Sequence, residues 1–240
     1  MLLLDIGNSR CKWALVENGV WLRQGVLENR DLAQLPALVG DLPVRSRILV
    51  SNVAGDAVGG NLRELFAAMQ CEPTFIRAEA ERCGVRNAYR APQQLGSDRW
   101  AALVAARHRV AGACLVVNCG TATTVDALSA QGEFLGGLIL PGLSLMLSSL
   151  SANTAQLADQ AGDLQDFPRD TAAAMLSGAV RATQGAILHQ YGLLQQREGS
   201  VRCLLSGGAA GEVMHGWSVP CEHDAHVVLH GLQILGEDEA

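Results

Sequence analysis

A chain of 240 residues that is 49% hydrophobic and 18% charged, with a mean hydropathy of +0.17, has the composition of a folded protein; it shows neither the bias of a disordered segment nor the periodicity of collagen or a coiled coil. Surface scaling leaves about 10,000 Å² exposed of the roughly 37,000 Å² an unfolded chain presents, so a sizeable core is available. Twenty-four acidic against eighteen basic side chains, a net charge of -6 and no Lys/Arg-rich run argue against a nucleic-acid partner, while leaving room for local anion sites.

Met1-Leu2-Leu3-Leu4 is stopped by Asp5 and lacks a basic leader, which predicts a buried strand and no signal peptide. Two apolar runs, Leu2 to Leu4 and Cys11 to Val16, flank Asp5-Ile6-Gly7-Asn8-Ser9, the pattern of a β-hairpin with a polar tip. Arg47 to Val53 reads as a further buried strand, and Leu62, Leu65, Phe66 and Met69 give helical spacing over 61–69. Ser97 is placed to cap a helix from Asp98 to about His108. Cys114 to Val117 and Thr123 to Leu128 then repeat the hairpin pattern around Asn118-Cys119-Gly120-Thr121-Ala122. From Phe134 to Ala158 there is no charge, but Gly136, Gly137, Pro141 and Gly142 break the run, so a buried turn and an interface helix are expected in place of a membrane span. Arg202 to Leu205 is a strand ending in Gly207-Gly208, where a ligand or another backbone can approach closely. His226 to Leu235 is a final helix, with the acidic residues after Gly236 expected to fray. Seven scattered cysteines without a C-x-x-C pair read as reduced thiols of a cytoplasmic protein.

Aligning Asp5 on Asn118 matches strand, [Asp/Asn]-x-Gly-[Asn/Thr]-[Ser/Ala] and second strand, so the chain holds the same device twice. Two related α/β halves, 1–112 and 113–240, account for it. No Walker loop, strand-linked G-x-G-x-x-G or protein-kinase signature is present. Hairpin tips rich in Gly, Asn, Ser and Thr are an alternative phosphate site, because glycine frees the backbone and successive N–H groups form an anion-binding nest. Asp5 is placed to hold a hydrated magnesium ion and Lys12 to offset phosphate charge, unless both merely shape a turn.

The repeated hairpin resembles the phosphate device of the acetate kinase, sugar kinase, heat-shock protein 70 and actin superfamily. Closer still, Asp5-x-Gly7-Asn8-Ser9-x-x-Lys12-Trp13, Asn87-x-Tyr89-x-x-Pro92-x-x-Leu95-Gly96-Ser97-Asp98-Arg99-Trp100, Asn118 to Asp126, Gly136-Gly137 to Pro141-Gly142, and Asp170-Thr171-x-x-Ala174-x-x-x-Gly178 resemble, in order and spacing, the bacterial type III pantothenate kinases. The resemblance implies two ribonuclease H-like domains around a central ATP cleft, and ATP-dependent phosphorylation of pantothenate to 4'-phosphopantothenate, the first step of coenzyme A synthesis. It implies an ATP phosphate segment of Asp5, Ile6, Gly7, Asn8, Ser9, Arg10, Cys11 and Lys12, with Thr121 as a second phosphate contact. It also implies pantothenate contacts at Tyr89, Gly96, Ser97, Asp98 and Arg99, with Asp98 as the base, and Thr171 supplied across a homodimer interface. The first-turn position of Asp98 by itself favours an ionised carboxylate through the helix dipole, the alternative being that Asp98 and Arg99 only cap the helix. Magnesium and a monovalent cation, potassium or ammonium, are the implied ions.

Two departures bear on this. Asn118 stands where the family usually has the Asp that ligates the monovalent cation, which removes a charge from that site, and Asp170 stands where Asn is common. Competing readings are a sugar kinase of the superfamily and a nucleotide-binding regulator without turnover. His223, His226 and His230 have zinc-ligand spacing but lie outside every matched motif, and Cys119 lacks an evident His partner to act as a nucleophile.

Overall fold

The structure is a computed structural model that describes residues 1–40, 42–43, 46–153, 162–217 and 219–238. The chain divides into two units, Met1–Arg109 with His226–Ala240, and Val110–Ala225. In the first, Leu2–Ile6 (β1), Arg10–Glu17 (β2) and Val20–Glu28 (β3) form an antiparallel meander. Leu35–Val39 (α1), Ile48–Asn52 (β4), Asp56–Ala67 (α2), Pro73–Phe75 (β5), a small hairpin of Glu81–Arg82 (β6) and Val85–Asn87 (β7), and Ser97–Arg109 (α3) follow. β4 lies parallel to β1 and β5 parallel to β4, giving the order β3-β2-β1-β4-β5.

Strand alternation sorts this sheet. Leu2, Leu4 and Ile6 pack with Trp13, Ile48, Val50, Leu62 and Phe66 on one face. Leu3 and Leu49 alternate with them and are buried on the other face, so both faces of β1 are covered and three consecutive leucines can be interior. The same parity sends Asp5 and its β4 neighbour Ser51 to the Leu3 face.

In the second unit, Ala113–Cys119 (β8), Ala122–Leu128 (β9) and Glu133–Pro141 (β10) repeat the meander. Leu143–Asn153 (α4), Thr171–Glu198 (α5), Val201–Ser206 (β11), Ala210–Met214 (α6) and Cys221–His223 (β12) complete it, with β11 parallel to β8 and β12 parallel to β11. Both units thus carry the order third-second-first-fourth-fifth, the ribonuclease H-like arrangement. The duplication reaches the register: Asp5 pairs with Ser51 and Asn118 with Ser206.

The chain then returns through Val227–Glu237 (α7), which packs on α3, β1 and β4 of the first unit; sequence reading had grouped this segment with the second half. Its acidic end does not simply fray, since Glu237 is helical and Asp238 accepts from Arg82 Nε at 3.2 Å; residues 239–240 lie outside the described residues. β3 escaped the sequence patterning because Val20, Leu22 and Val26 are exposed on an edge strand. The uncharged run splits into β10 and α4, its last residues lying outside those described, and among the described residues no helix is long and apolar enough to cross a membrane. All seven cysteines are free.

The α3–α7 contact is so close that a Cβ on Gly231 would collide with the backbone carbonyl of Ala101. Gly231→Ala is therefore expected to cost about 2 kcal/mol by overpacking, read as a melting temperature lower by about 5 °C in thermal denaturation.

Candidate active site

The β1–β2 turn is built around Gly7, whose N–H donates to the Arg10 carbonyl at 2.9 Å. Asn29, just past β3, braces it: its Nδ2 donates to the Gly7 carbonyl at 2.7 Å and its backbone N–H to the Ser9 carbonyl at 3.0 Å. Asn8, Ser9 and Arg10 are exposed, while Ile6 and Cys11 are fully buried, so of residues 5–12 these two can offer a ligand only their backbone. Burial also pushes the Cys11 thiol far up, which removes it as a nucleophile. Arg10 Nε is engaged by Glu28 at 3.0 Å.

Asp5 sits opposite Lys12 in the β1–β2 register. Burial pushes its carboxyl up to about 7; Lys12 works against this shift and the charge of Asp98 adds to it. The charge of Asp98 therefore reaches Asp5 although the two stand 93 positions apart in sequence. Their meeting follows from the sheet: Asp5 and Ser51 share a face, and the buried Ser51 Oγ lies 3.0 Å from Ser97 Oγ at the start of α3. Ser97, which the sequence suggested as a helix cap, thus ties the helix to the sheet. Asp98 Oδ1 accepts the Arg99 N–H at 2.8 Å, which favours the ionised form, but burial is the larger effect and raises its pKa. A Cβ on Gly96 would stand 2.6 Å from Asp98 Oδ1, so the glycine makes space for the carboxylate.

Arg99 is 6% exposed and donates from Nη1 to the Tyr89 hydroxyl at 3.1 Å, its guanidinium 5.7 Å from the ring centroid. Tyr89 is itself held by its N–H, which donates to Asn87 Oδ1 at 3.1 Å. Asp5, Lys12, Tyr89 and Gly96 to Arg99 all belong to the first unit.

Asn118, Thr121 and Thr171 belong to the second. Asn118, the penultimate residue of β8, is half-buried, and Thr121 is exposed on the turn to β9. That turn is clamped by backbone: Gly142 N–H donates to the Thr121 carbonyl at 2.9 Å, and Ala209 N–H to the Cys119 carbonyl at 3.1 Å. Gly207, at φ +98°, lies against the Cys119 backbone where no Cβ fits, so this glycine serves another backbone. Next to it a cavity of about 410 Å³ is lined by Leu164, Leu176, Val180, Gly208, Glu212 and His215. Thr171 is exposed at the start of α5, and Asp170 caps that helix by accepting the Ala173 N–H at 2.8 Å, which gives the departure at 170 a structural role.

Among the described residues no group of three or more His, Cys, Asp or Glu could hold a metal; His223 is in β12, His226 precedes α7 and only His230 lies within it. Burial pushes the Cys119 thiol up to about 12, so it is a packed residue. Sequence reading missed Ser51 and Asn29: a serine in an apolar strand and an asparagine after an edge strand carry no signal until their partners are known.

Because the folded Asp5, with its pKa raised to about 7, holds a proton that an unfolded carboxylate has released, the folded state binds more protons between pH 4 and 7 and loses stability as pH rises through that window; the raised pKa of Asp98 acts in the same direction. Thermal denaturation from pH 5 to 8 should show this decline, and Asp5→Asn should flatten it and melt higher than the parent at pH 8. A steeper decline in Asp5→Asn would contradict the assignment.

The type III pantothenate kinase family model matches residues 1–192. Type III pantothenate kinases of Aromatoleum aromaticum and Nitrosospira multiformis are 42% and 46% identical, covering 100% and 99% of this chain and 99% and 91% of their own. In fold, a conserved Campylobacter jejuni protein assigned to the Baf family of transcriptional activators superposes with a TM-score of 0.64 at 21% identity, covering 100% of this chain and 99% of its own. The Clostridium difficile activator of 2-hydroxyisocaproyl-CoA dehydratase, solved with bound ADPNP, gives 0.53 at 12% identity, covering 99% and 94%. With the family pattern spanning four fifths of its length and relatives of this identity aligned end to end, the chain belongs to the type III pantothenate kinase family.

Proposed function

We propose that this chain transfers the γ-phosphoryl group of ATP to the primary hydroxyl of pantothenate, with Asp98 as the base, the Asp5–Lys12 hairpin as the phosphate site, and Tyr89 and Arg99 as substrate contacts. The observation that carries these roles is the electrostatic proximity of Asp5 and Asp98 in one unit, beside Lys12, in a member of a pantothenate kinase family.

Phosphoryl transfer has a loose transition state, so alignment and charge neutralisation do most of the work and the base accepts its proton late. Asp98 orients the hydroxyl and takes that proton; its raised pKa makes it a better acceptor than an ordinary carboxylate. Arg99, its plane set by Tyr89, meets the pantothenate carboxylate. Lys12 faces the phosphate chain. Asp5 fits magnesium, since it is a hard oxygen donor whose charge is disfavoured by burial and by Asp98, and a cation held through one carboxylate, waters and phosphate oxygens needs no cluster of protein ligands. When bound, magnesium supplies neutralisation of the phosphate charge. In the second unit, Thr121 adds a phosphate contact, and the cavity beside Gly208 takes the nucleotide base. Asn118 offers a monovalent cation an amide oxygen without charge. Two copies pair through a face on which α4 and α5 leave Leu145, Leu150, Leu188 and Leu193 exposed, and Thr171 completes the pantothenate site of the second copy.

Turnover of the purified protein with ATP, magnesium and pantothenate, followed as phosphopantothenate by mass, tests this. Asp98→Asn is expected to lower kcat by about 100-fold or more with folding intact; unchanged turnover would remove Asp98 as the base. Product is expected in sodium as well as potassium buffer, because Asn118 brings no negative charge, and a strict potassium requirement would contradict that. Absence of product in either buffer, from folded protein that binds no pantothenate, would overturn the kinase reading.

A further inference from the structure

We propose that Asn29 is a positioning residue for the phosphate turn: by occupying the carbonyls of Gly7 and Ser9 it leaves the tip's outward N–H groups for an ATP phosphate. This rests on the reading of the Asp5–Lys12 hairpin as the phosphate site.

A tight turn presents carbonyls and N–H groups on opposite sides, and anion binding requires that the N–H side be the one facing the ligand. A planar trans peptide aims its C=O and N–H in opposite directions. Fixing the Gly7 carbonyl on Asn29 Nδ2 at 2.7 Å therefore aims the Asn8 N–H the other way, and fixing the Ser9 carbonyl on the Asn29 N–H at 3.0 Å does the same for the Arg10 N–H. The Asn8 N–H, on the peptide that Asn29 Nδ2 fixes, makes no backbone hydrogen bond among the described residues, and Asn8, Ser9 and Arg10 are all exposed. The backbone bond closes the strand pairing that β3 would make in any case; the side-chain bond is the part that depends on residue type.

The orientation of that side chain is constrained. Asn29 Oδ1 is buried without a hydrogen-bond partner, and turning the amide over would set this oxygen against the Gly7 carbonyl. The amide is thus held as a donor to the turn at the expense of its own acceptor, which a residue serving only to end a strand does not need. The isosteric carboxylate introduced by Asn29→Asp would lack the donor and repel both the Gly7 carbonyl and an incoming phosphate.

The test compares Asn29→Ala, Asn29→Asp and Lys12→Ala by steady-state kinetics and by calorimetric titration with ATP and magnesium. Asn29→Ala is expected to raise KM and Kd for ATP by about tenfold, the equivalent of one hydrogen bond to the turn. Asn29→Asp should raise them further, with KM for pantothenate unchanged in both. A fall in kcat with both KM values unaltered, or no change at all, would overturn the proposal. If Lys12→Ala weakens ATP binding and the Asn29 variants do not, the hairpin reading survives and the role of Asn29 fails. If Lys12→Ala leaves ATP binding unaltered, the hairpin reading fails and takes the proposal with it. Should Asn29→Ala not fold, Asn29→Asp preserves shape and decides alone.

Discussion

Two carboxylates that share a partly desolvated neighbourhood set the terms for the first unit. Asp5 at the end of β1 and Asp98 at the start of α3 are each pushed toward protonation by burial, and the charge of Asp98 adds to the shift at Asp5. Lys12 opposes that shift, and the Arg99 N–H supplies Asp98 with a hydrogen bond. A fold selected for stability alone would replace either carboxylate with an apolar or amide group. For phosphoryl transfer the same arrangement is useful: one carboxylate favours a divalent cation and the other a proton from the acceptor hydroxyl.

Around this pair, ordinary packing does the positioning. Strand parity puts Asp5 and Ser51 on one face, and the Ser51–Ser97 contact pins the helix that carries Asp98. Gly96 clears space for the carboxylate, and Gly231 lets α7 press α3 into place. Asn87 holds Tyr89, and Tyr89 holds Arg99. None of these contacts is chemical in itself, yet each removes freedom from a group whose reach matters to within an ångström or less in an aligned reaction.

The second unit uses the same topology differently. Its first turn carries neutral Asn118 and Thr121 where the first unit has Asp5 and the Gly7–Ser9 tip, and it is clamped by glycines at 142 and 207 where the first is braced by a side chain, Asn29. Duplication of a strand order therefore does not duplicate chemistry. A charge, a lysine opposite it and a helix delivering a second carboxylate distinguish the unit with the proposed catalytic group.

Much of this was legible in the sequence. The hairpin tips, the repeat, the strands β1, β4, β8 and β11 and the Gly96 to Arg99 run stand out because buried strands read as apolar runs and turns need glycine and small polar residues. These motifs carried the resemblance that the relatives bear out across the chain. What only tertiary structure decided are the pairings between distant positions: Asp5 with Asp98, Ser51 with Ser97, Asn29 with the Gly7 carbonyl, and α7 with α3. The physical reason is that local sequence encodes periodicity and turn geometry, which act over a few residues. The pKa of a carboxylate, the role of a buried serine and the unit a terminal helix joins depend on which remote groups are folded against it.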